Sequence, residues 1–165
     1  MTSLDEIQTS FREVMASVCT PVSVVTTMST DHPHGTTVSA FTSLSLSPPM
    51  VLVSLDRGSD LLALVRETGT FGLNVLAADQ APLALAFAGK GDHKFQGVEW
   101  RSHNGVPRIE GAQGWMACRV ARFIEGGDHL VILGDVVAAD TASGPPLTYH
   151  ARAFGTHAAH AEPVR

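Results

Sequence analysis

Short apolar and β-branched runs dominate the chain, and a helical period appears in only a few short stretches. Phe11, Val14, Met15 and Val18 fall at i, i+3, i+4 and i+7. They predict the apolar stripe of a short helix, with Thr9 or Ser10 as its cap and Pro21 marking its end. Residues 22–28 are β-branched and strand-like, residues 29–35 form a turn cluster, and residues 36–46 read as the second arm of a hairpin. Pro48 and Pro49 interrupt the ladder because proline has no N–H to donate. Residues 50–55 then predict a short, buried strand.

Residues 59–68 read as a helix, with Ser59 as N-cap and Asp60 favourable at its positive end. A strand over 71–76 and a helix over 79–89 follow, the helix with Pro82 in its first turn and Gly89 at its end. Residues 90–100 are a polar loop. The strands expected over 115–125 and 129–140 are joined by Gly126, Gly127 and Asp128, a strong hairpin signal. The chain then runs through a loop and one last short strand into a tail, residues 158–165, expected to be disordered. Six or seven strands, several joined by hairpins, with two or three short helices, predict a mainly β fold: an antiparallel barrel with flanking helices. The strand–helix–strand unit around residues 59–68 is compatible with a parallel α/β sheet, but no other segment continues that alternation.

Composition narrows the function. A chain of 165 residues suggests one domain, with a core over about residues 11–157, and 44% apolar against 16% charged residues permits a substantial interior. The net charge of −5 and the lack of any basic run argue against a nucleic-acid or anionic-membrane surface. The longest apolar runs are far too short to span a bilayer, and the polar, acidic start does not resemble a signal peptide. Cys19 and Cys118 form neither a CxxC pair nor a zinc spacing. Two reduced, buried thiols in a cytoplasmic protein are expected. No spacing of histidines and carboxylates suggests a metal site.

Three places could carry chemistry. Thr37, Ser39, Ser43 and Ser45 share a parity and so predict one hydroxyl-bearing face, interrupted by Phe41, with Val38, Ala40, Leu44 and Leu46 opposite. Such a face is either solvated surface or a platform on which short side chains let a planar ring approach the backbone. Arg57, Gly58, Ser59 and Asp60 lie where a strand ends and a helix begins. That is either an ordinary capped helix or a phosphate site formed by helix N–H groups and Arg57. Asp60 speaks mildly against an anion, and neither GxGxxG nor a P-loop is present. His129 enters an apolar strand just after the glycine turn, as a satisfied turn histidine or as a group that orients a substrate.

In order and spacing, "HGTTVSAFTSLSLSPP", "VSLDRGS", "FGLNVL", "AFAGKGDHKF" and "GDHLVILGDVV" together resemble the flavin reductase family, the small partners of two-component flavin-dependent monooxygenases. The likeness covers roughly residues 11–154. It implies a split barrel, usually a homodimer, that binds FMN or FAD, oxidises NADH or NADPH and passes reduced flavin to a separate oxygenase. By position it implies that Thr37, Val38, Ser39 and Ala40 line the isoalloxazine and that Ser54, Leu55 and Asp56 form the second contacting strand. It places Arg57 and Ser59 at the phosphate end, Ala88, Gly89 and Lys90 in a loop near the flavin, and Lys94 and Phe95 at the family's "KF" pair. His129 falls in the family's GDH turn beside the nicotinamide. Phe154 stands where many relatives have tyrosine. Hydride transfer between stacked rings needs placement more than acid–base chemistry, so no essential general acid or base is expected. Two other readings stay open: a flavin-carrying module without turnover, and an oxidase related to pyridoxamine-phosphate oxidase that holds flavin tightly.

Overall fold

The computed structural model describes residues 3–160. Its first element, α1 (Leu4–Ala16), starts earlier than the apolar periodicity predicts. Ser3 and Glu6 form a capping box: the Ser3 hydroxyl accepts from the Glu6 N–H and the Glu6 carboxylate accepts from the Ser3 N–H. Neither Thr9 nor Ser10 caps the helix, and it ends at Ser17, well before Pro21. The apolar stripe is real but unpaired. Leu4, Ile7, Phe11 and Val14 are each more than half exposed, at 69%, 53%, 62% and 61%.

Twelve strands follow: β1 (Thr20–Pro21), β2 (Ser23–Ser29), β3 (His32–Val38), β4 (Phe41–Leu46), β5 (Pro49–Asp56), β6 (Thr70–Val75), β7 (Trp100–His103), β8 (Val106–Ile109), β9 (Gly114–Gly126), β10 (His129–Thr141), β11 (Leu147–His150) and β12 (Ala153–Thr156). Among the described residues two further α-helices, α2 (Asp60–Thr68) and α3 (Ala81–Ala88), sit between strands, the second preceded by a 3-10 turn at Ala78–Gln80. Seven strands form one antiparallel sheet in the order β3-β2-β6-β9-β10-β5-β4. Its two edges, β3 and β4, are consecutive in the chain, so the sheet curls until they meet at Ser39 and Ala40, where the Ser54 N–H donates to the Ala40 carbonyl at 2.9 Å. The result is an antiparallel split barrel. Beside it lie a two-stranded ribbon, β7-β8, in a stretch to which the sequence assigns no strand, and a three-stranded sheet, β1-β11-β12, in place of one last strand. Residues 157–160 carry no regular secondary structure, and the rest of the expected tail lies outside the described residues.

The barrel is filled by the inward positions of its strands and closed by the buried side of α2. Leu61, Leu62 and Val65 pack with Val25, Val53, Phe71, Leu73 and Ile132. Strand β5 is buried at alternate positions rather than throughout. Its inward residues Val51, Val53 and Leu55 pair with Gly134, Ile132 and Leu130 of β10. The outward set, Met50 and Leu52 with Val131 and Leu133, is half-buried. Strand β10 must pass close to the Phe71 ring, next to a bulge between Leu133 and Gly134. A Cβ on Gly134 would stand 2.6 Å from the Phe71 ring edge, and Phe71 is wholly buried. Gly134→Ala should therefore lower stability by about 1–3 kcal/mol, the usual cost of overfilling a packed core. Denaturant unfolding measures this, and an unchanged midpoint would mean that the ring moves aside freely.

A second apolar cluster joins Val22, Val24, Leu76, Phe87, Ile109 and Leu147, with Phe95 set edge-on to Phe87 at 4.8 Å between centroids. Only one of the two cysteines behaves as expected. Cys118 is buried, and that burial, with the nearby Asp135 charge, pushes its thiol up to about 12, whereas Cys19 is exposed. No described helix is long and apolar enough to cross a membrane.

Candidate functional site

The hydroxyl-rich stretch does not form the single face its parity predicts. It is two strands, broken at Ser39 and Ala40, and a bulge between Ser43 and Ser45 shifts the parity again within β4. Thr37 turns its hydroxyl to the Ala84 carbonyl of α3 at 2.6 Å, and Thr36 reaches the Phe87 carbonyl at 3.4 Å. These two hydroxyls fasten β3 to α3. What remains open is the backbone at the break: the N–H groups of Ser39 and Ala40 have no hydrogen-bond partner among the described residues. Both residues are exposed, and neither carries a side chain large enough to cover them.

A cavity of about 260 Å³ lies on this break. Residues 36–40 form one wall, Ser54, Leu55 and Asp56 at the end of β5 form the next, and Ser59 and His129 complete the rim. A larger cavity of about 620 Å³ shares Thr36, Asp56 and Ser59 with it. That cavity continues between β3, the start of α2 and the loop after α3, where Ala88, Gly89, Lys90, Lys94 and Phe95 lie. All but one of the site residues expected from sequence therefore line one of two adjoining cavities, which four separate segments enclose.

Asp56 shapes the corner between them. Its carboxylate accepts from the Gly58 N–H at 2.7 Å and its carbonyl from the Ser59 N–H at 3.0 Å, which turns the chain from β5 into α2. Ser59 is the N-cap of α2 by position, but its hydroxyl makes no capping bond. The first-turn N–H groups of α2 thus keep their unsatisfied donors and the positive end of the helix dipole. Lys94 stands across the larger cavity and donates to the Phe87 carbonyl at 3.0 Å and the Gly35 carbonyl at 3.2 Å. Burial holds its pKa below the usual lysine range, an effect that the Asp60 charge opposes. Its ammonium ties the C-terminal end of α3 to β3 and still has a third proton to offer.

Arg57 is the exception. Its side chain lines neither cavity but a separate hollow bounded by Leu62, Ala63, Arg66 and Leu130. Its Nε donates to the Gly127 carbonyl at 2.8 Å, and a guanidinium nitrogen lies 3.6 Å from Glu125. Here the guanidinium is engaged by the β9–β10 turn and is not directed into either cavity, whereas the resemblance implies a place for it at the phosphate end. Conversely, Thr36 and His34 line the larger cavity, although sequence reasoning passed over the first and treated the second as a turn histidine. Alternation with Thr37 was the only signal for Thr36, and nothing in the local sequence singles out His34. Asp128 holds His129 at the rim through a 2.7 Å contact between its carboxylate and Nδ1. That bond is the main reason the Asp128 carboxyl titrates below its usual range. Among the described residues no group of three or more metal-ligating side chains gathers.

A curled antiparallel sheet with a ligand groove where its two edges meet defines the split-barrel flavin-binding class. The chain belongs to the flavin reductase like domain family, whose family model matches residues 15–158. It is 39% identical over 145 residues to the reductase component of a 4-nitrophenol 4-monooxygenase/4-nitrocatechol 2-monooxygenase from Rhodococcus opacus, covering 88% of this chain and 78% of that protein. It is 38% identical to an NADH-dependent flavin reductase from a Rhodococcus species, covering 87% of this chain and 82% of that protein. Among solved structures it is similar to the NADH:FAD oxidoreductase SgcE6 of Streptomyces globisporus C-1027, in complex with NAD and FAD fragments. The TM-score is 0.90 and the identity 31%, over 98% of this chain and 99% of that one.

Proposed function

We propose that this chain is an NAD(P)H-dependent flavin reductase that turns over FMN or FAD and hands the reduced flavin to a separate flavin-dependent monooxygenase. The observation that carries this reading is the pair of joined cavities, which offers unpaired backbone donors at one end and a helix N-terminus with lysines at the other. The fit to a flavin is chemical. The free N–H groups of Ser39 and Ala40 suit the polar edge of an isoalloxazine, and their small side chains leave its face uncovered. Ser59, the first turn of α2, Lys90 and Lys94 suit the phosphate end. A bound flavin supplies the hydride acceptor at its N5 position. The chain's own part is placement: β3 and β5 would hold the ring's edge and His129 would orient the nicotinamide.

The named activities of the relatives support NADH as the reductant and a monooxygenase as the recipient. The exposed stripe of α1 and the half-buried outer face of β5 and β10 support a homodimer, since both are apolar surfaces that no described element of the chain covers. The whole chain then acts as a single flavin reductase-like domain. Steady-state oxidation of NADH and of NADPH with FMN, FAD and riboflavin in turn tests the function. Activity that depends on added flavin is expected. Tight flavin binding without nicotinamide oxidation would instead identify a carrier.

Lys94→Met should weaken FMN binding by about tenfold and riboflavin binding less, as the loss of one charge-assisted contact to phosphate would. Parallel fluorescence titrations read the difference. Equal losses for the two flavins would make Lys94 a strut of the α3–β3 junction and nothing more.

A further inference from the structure

Arg57 is drawn to the tip of the β9–β10 hairpin, and that tip carries His129. The ladder between β5 and β10 ends at the pair of Asp56 with His129. Past that pair the turn is only Gly127, at φ +64°, and Asp128, both exposed. Arg57 continues the attachment where the ladder stops. Its own N–H donates to the Asp128 carbonyl at 3.0 Å, its Nε donates to the Gly127 carbonyl at 2.8 Å, and its guanidinium approaches Glu125 at 3.6 Å. Arg57 thus holds both residues of the turn, Asp128 through its own backbone N–H and Gly127 through Nε, and its guanidinium also approaches Glu125 on β9. Asp128 is held at its carbonyl by the Arg57 backbone N–H and bonds the imidazole through its carboxylate, so the side chain's own share of the strap is the Nε bond to Gly127 and the approach to Glu125.

We propose that Arg57 is a positioning residue, which straps the hairpin tip to the end of β5 and so sets where His129 meets the nicotinamide, and that it is not a ligand of the flavin phosphate. The inference rests on the reading of His129 as the nicotinamide-side group. The strap requires the guanidinium specifically. Nε bonds a carbonyl while the terminal nitrogens face Glu125, and a lysine has one head to serve both.

The test compares Arg57→Ala, Arg57→Lys, His129→Ala and the double variant Arg57→Ala/His129→Ala in the full chain, each checked by thermal melting. Arg57→Ala should lower kcat/KM for NADH about tenfold, the scale of a lost hydrogen bond, and leave the dissociation constants of FMN and riboflavin unchanged. Arg57→Lys should keep most of that loss, because it restores charge without the Nε bond. In the double variant, removing Arg57 should cost nothing beyond the loss of His129, since the strap acts through the imidazole. Weaker FMN binding with intact riboflavin binding, repaired by lysine, would make Arg57 a phosphate ligand and overturn the proposal. Losses that multiply in the double variant would overturn it as well. No loss in His129→Ala would remove the His129 reading and the strap with it, whereas a loss there with none in Arg57→Ala would remove the strap alone.

Discussion

Ala40→Phe and Ser39→Trp should each weaken flavin binding by about 100-fold, the scale of forcing a bulky side chain into space already spoken for. The melting temperature should stay close to that of the parent chain. The asymmetry follows from where these residues sit. They are exposed and belong to no strand. Their expected role lies in the backbone: the Ala40 carbonyl accepts from the Ser54 N–H, and the N–H groups of Ser39 and Ala40 have no partner among the described residues. A large side chain leaves that hydrogen bond alone and occupies a cavity of only about 260 Å³. Fluorescence titration with FMN and a thermal melt on the same preparations separate the two effects. Normal flavin binding in both variants would place the ring elsewhere and leave the break between β3 and β4 as a strand connection only.

His129→Ala should lower kcat/KM for NADH by about 10- to 100-fold with little change in flavin affinity, as expected for a group that acts on the second substrate. His129 shares the smaller cavity with residues 36–40. Asp128 bonds the imidazole at Nδ1, which favours one ring orientation. A matched loss of flavin affinity would move His129 into the flavin contacts. An unchanged kcat/KM would remove it from the reaction.

Much of this arrangement was legible because the strongest signals were local. Gly127 and Asp128 announce the β9–β10 hairpin, and that hairpin forms as expected, with His129 at its mouth. The Ser59 helix start was equally plain, since a strand, a small polar cap and an apolar helical stripe follow one another within a few residues. The break at Ser39 and Ala40 was not legible, because neither glycine nor proline marks it. It exists because the two edges of a curled sheet must meet there, which is a property of the whole barrel. The β7–β8 ribbon hides for a similar reason. Its strands are four residues long, and most of β7 is polar and exposed. Arg57 shows a third limit: a place at a strand end does not say which way a long side chain turns, and here its Nε bonds the Gly127 carbonyl of the hairpin. For α1 the signal was present in another form, since Ser3 and Glu6 have capping-box spacing that apolar periodicity alone does not reveal.

The central claim is that the groove serves catalytic turnover of a released flavin, and anaerobic mixing tests it most directly. The chain is combined with a many-fold excess of FMN and an equal amount of NADH, without oxygen, and flavin absorbance is followed to completion. A flavin reductase should bleach all of the FMN, one molecule for each NADH consumed, far beyond one equivalent per chain. Bleaching that stops at one flavin per chain, or NADH left unoxidised beside bound flavin, would contradict it.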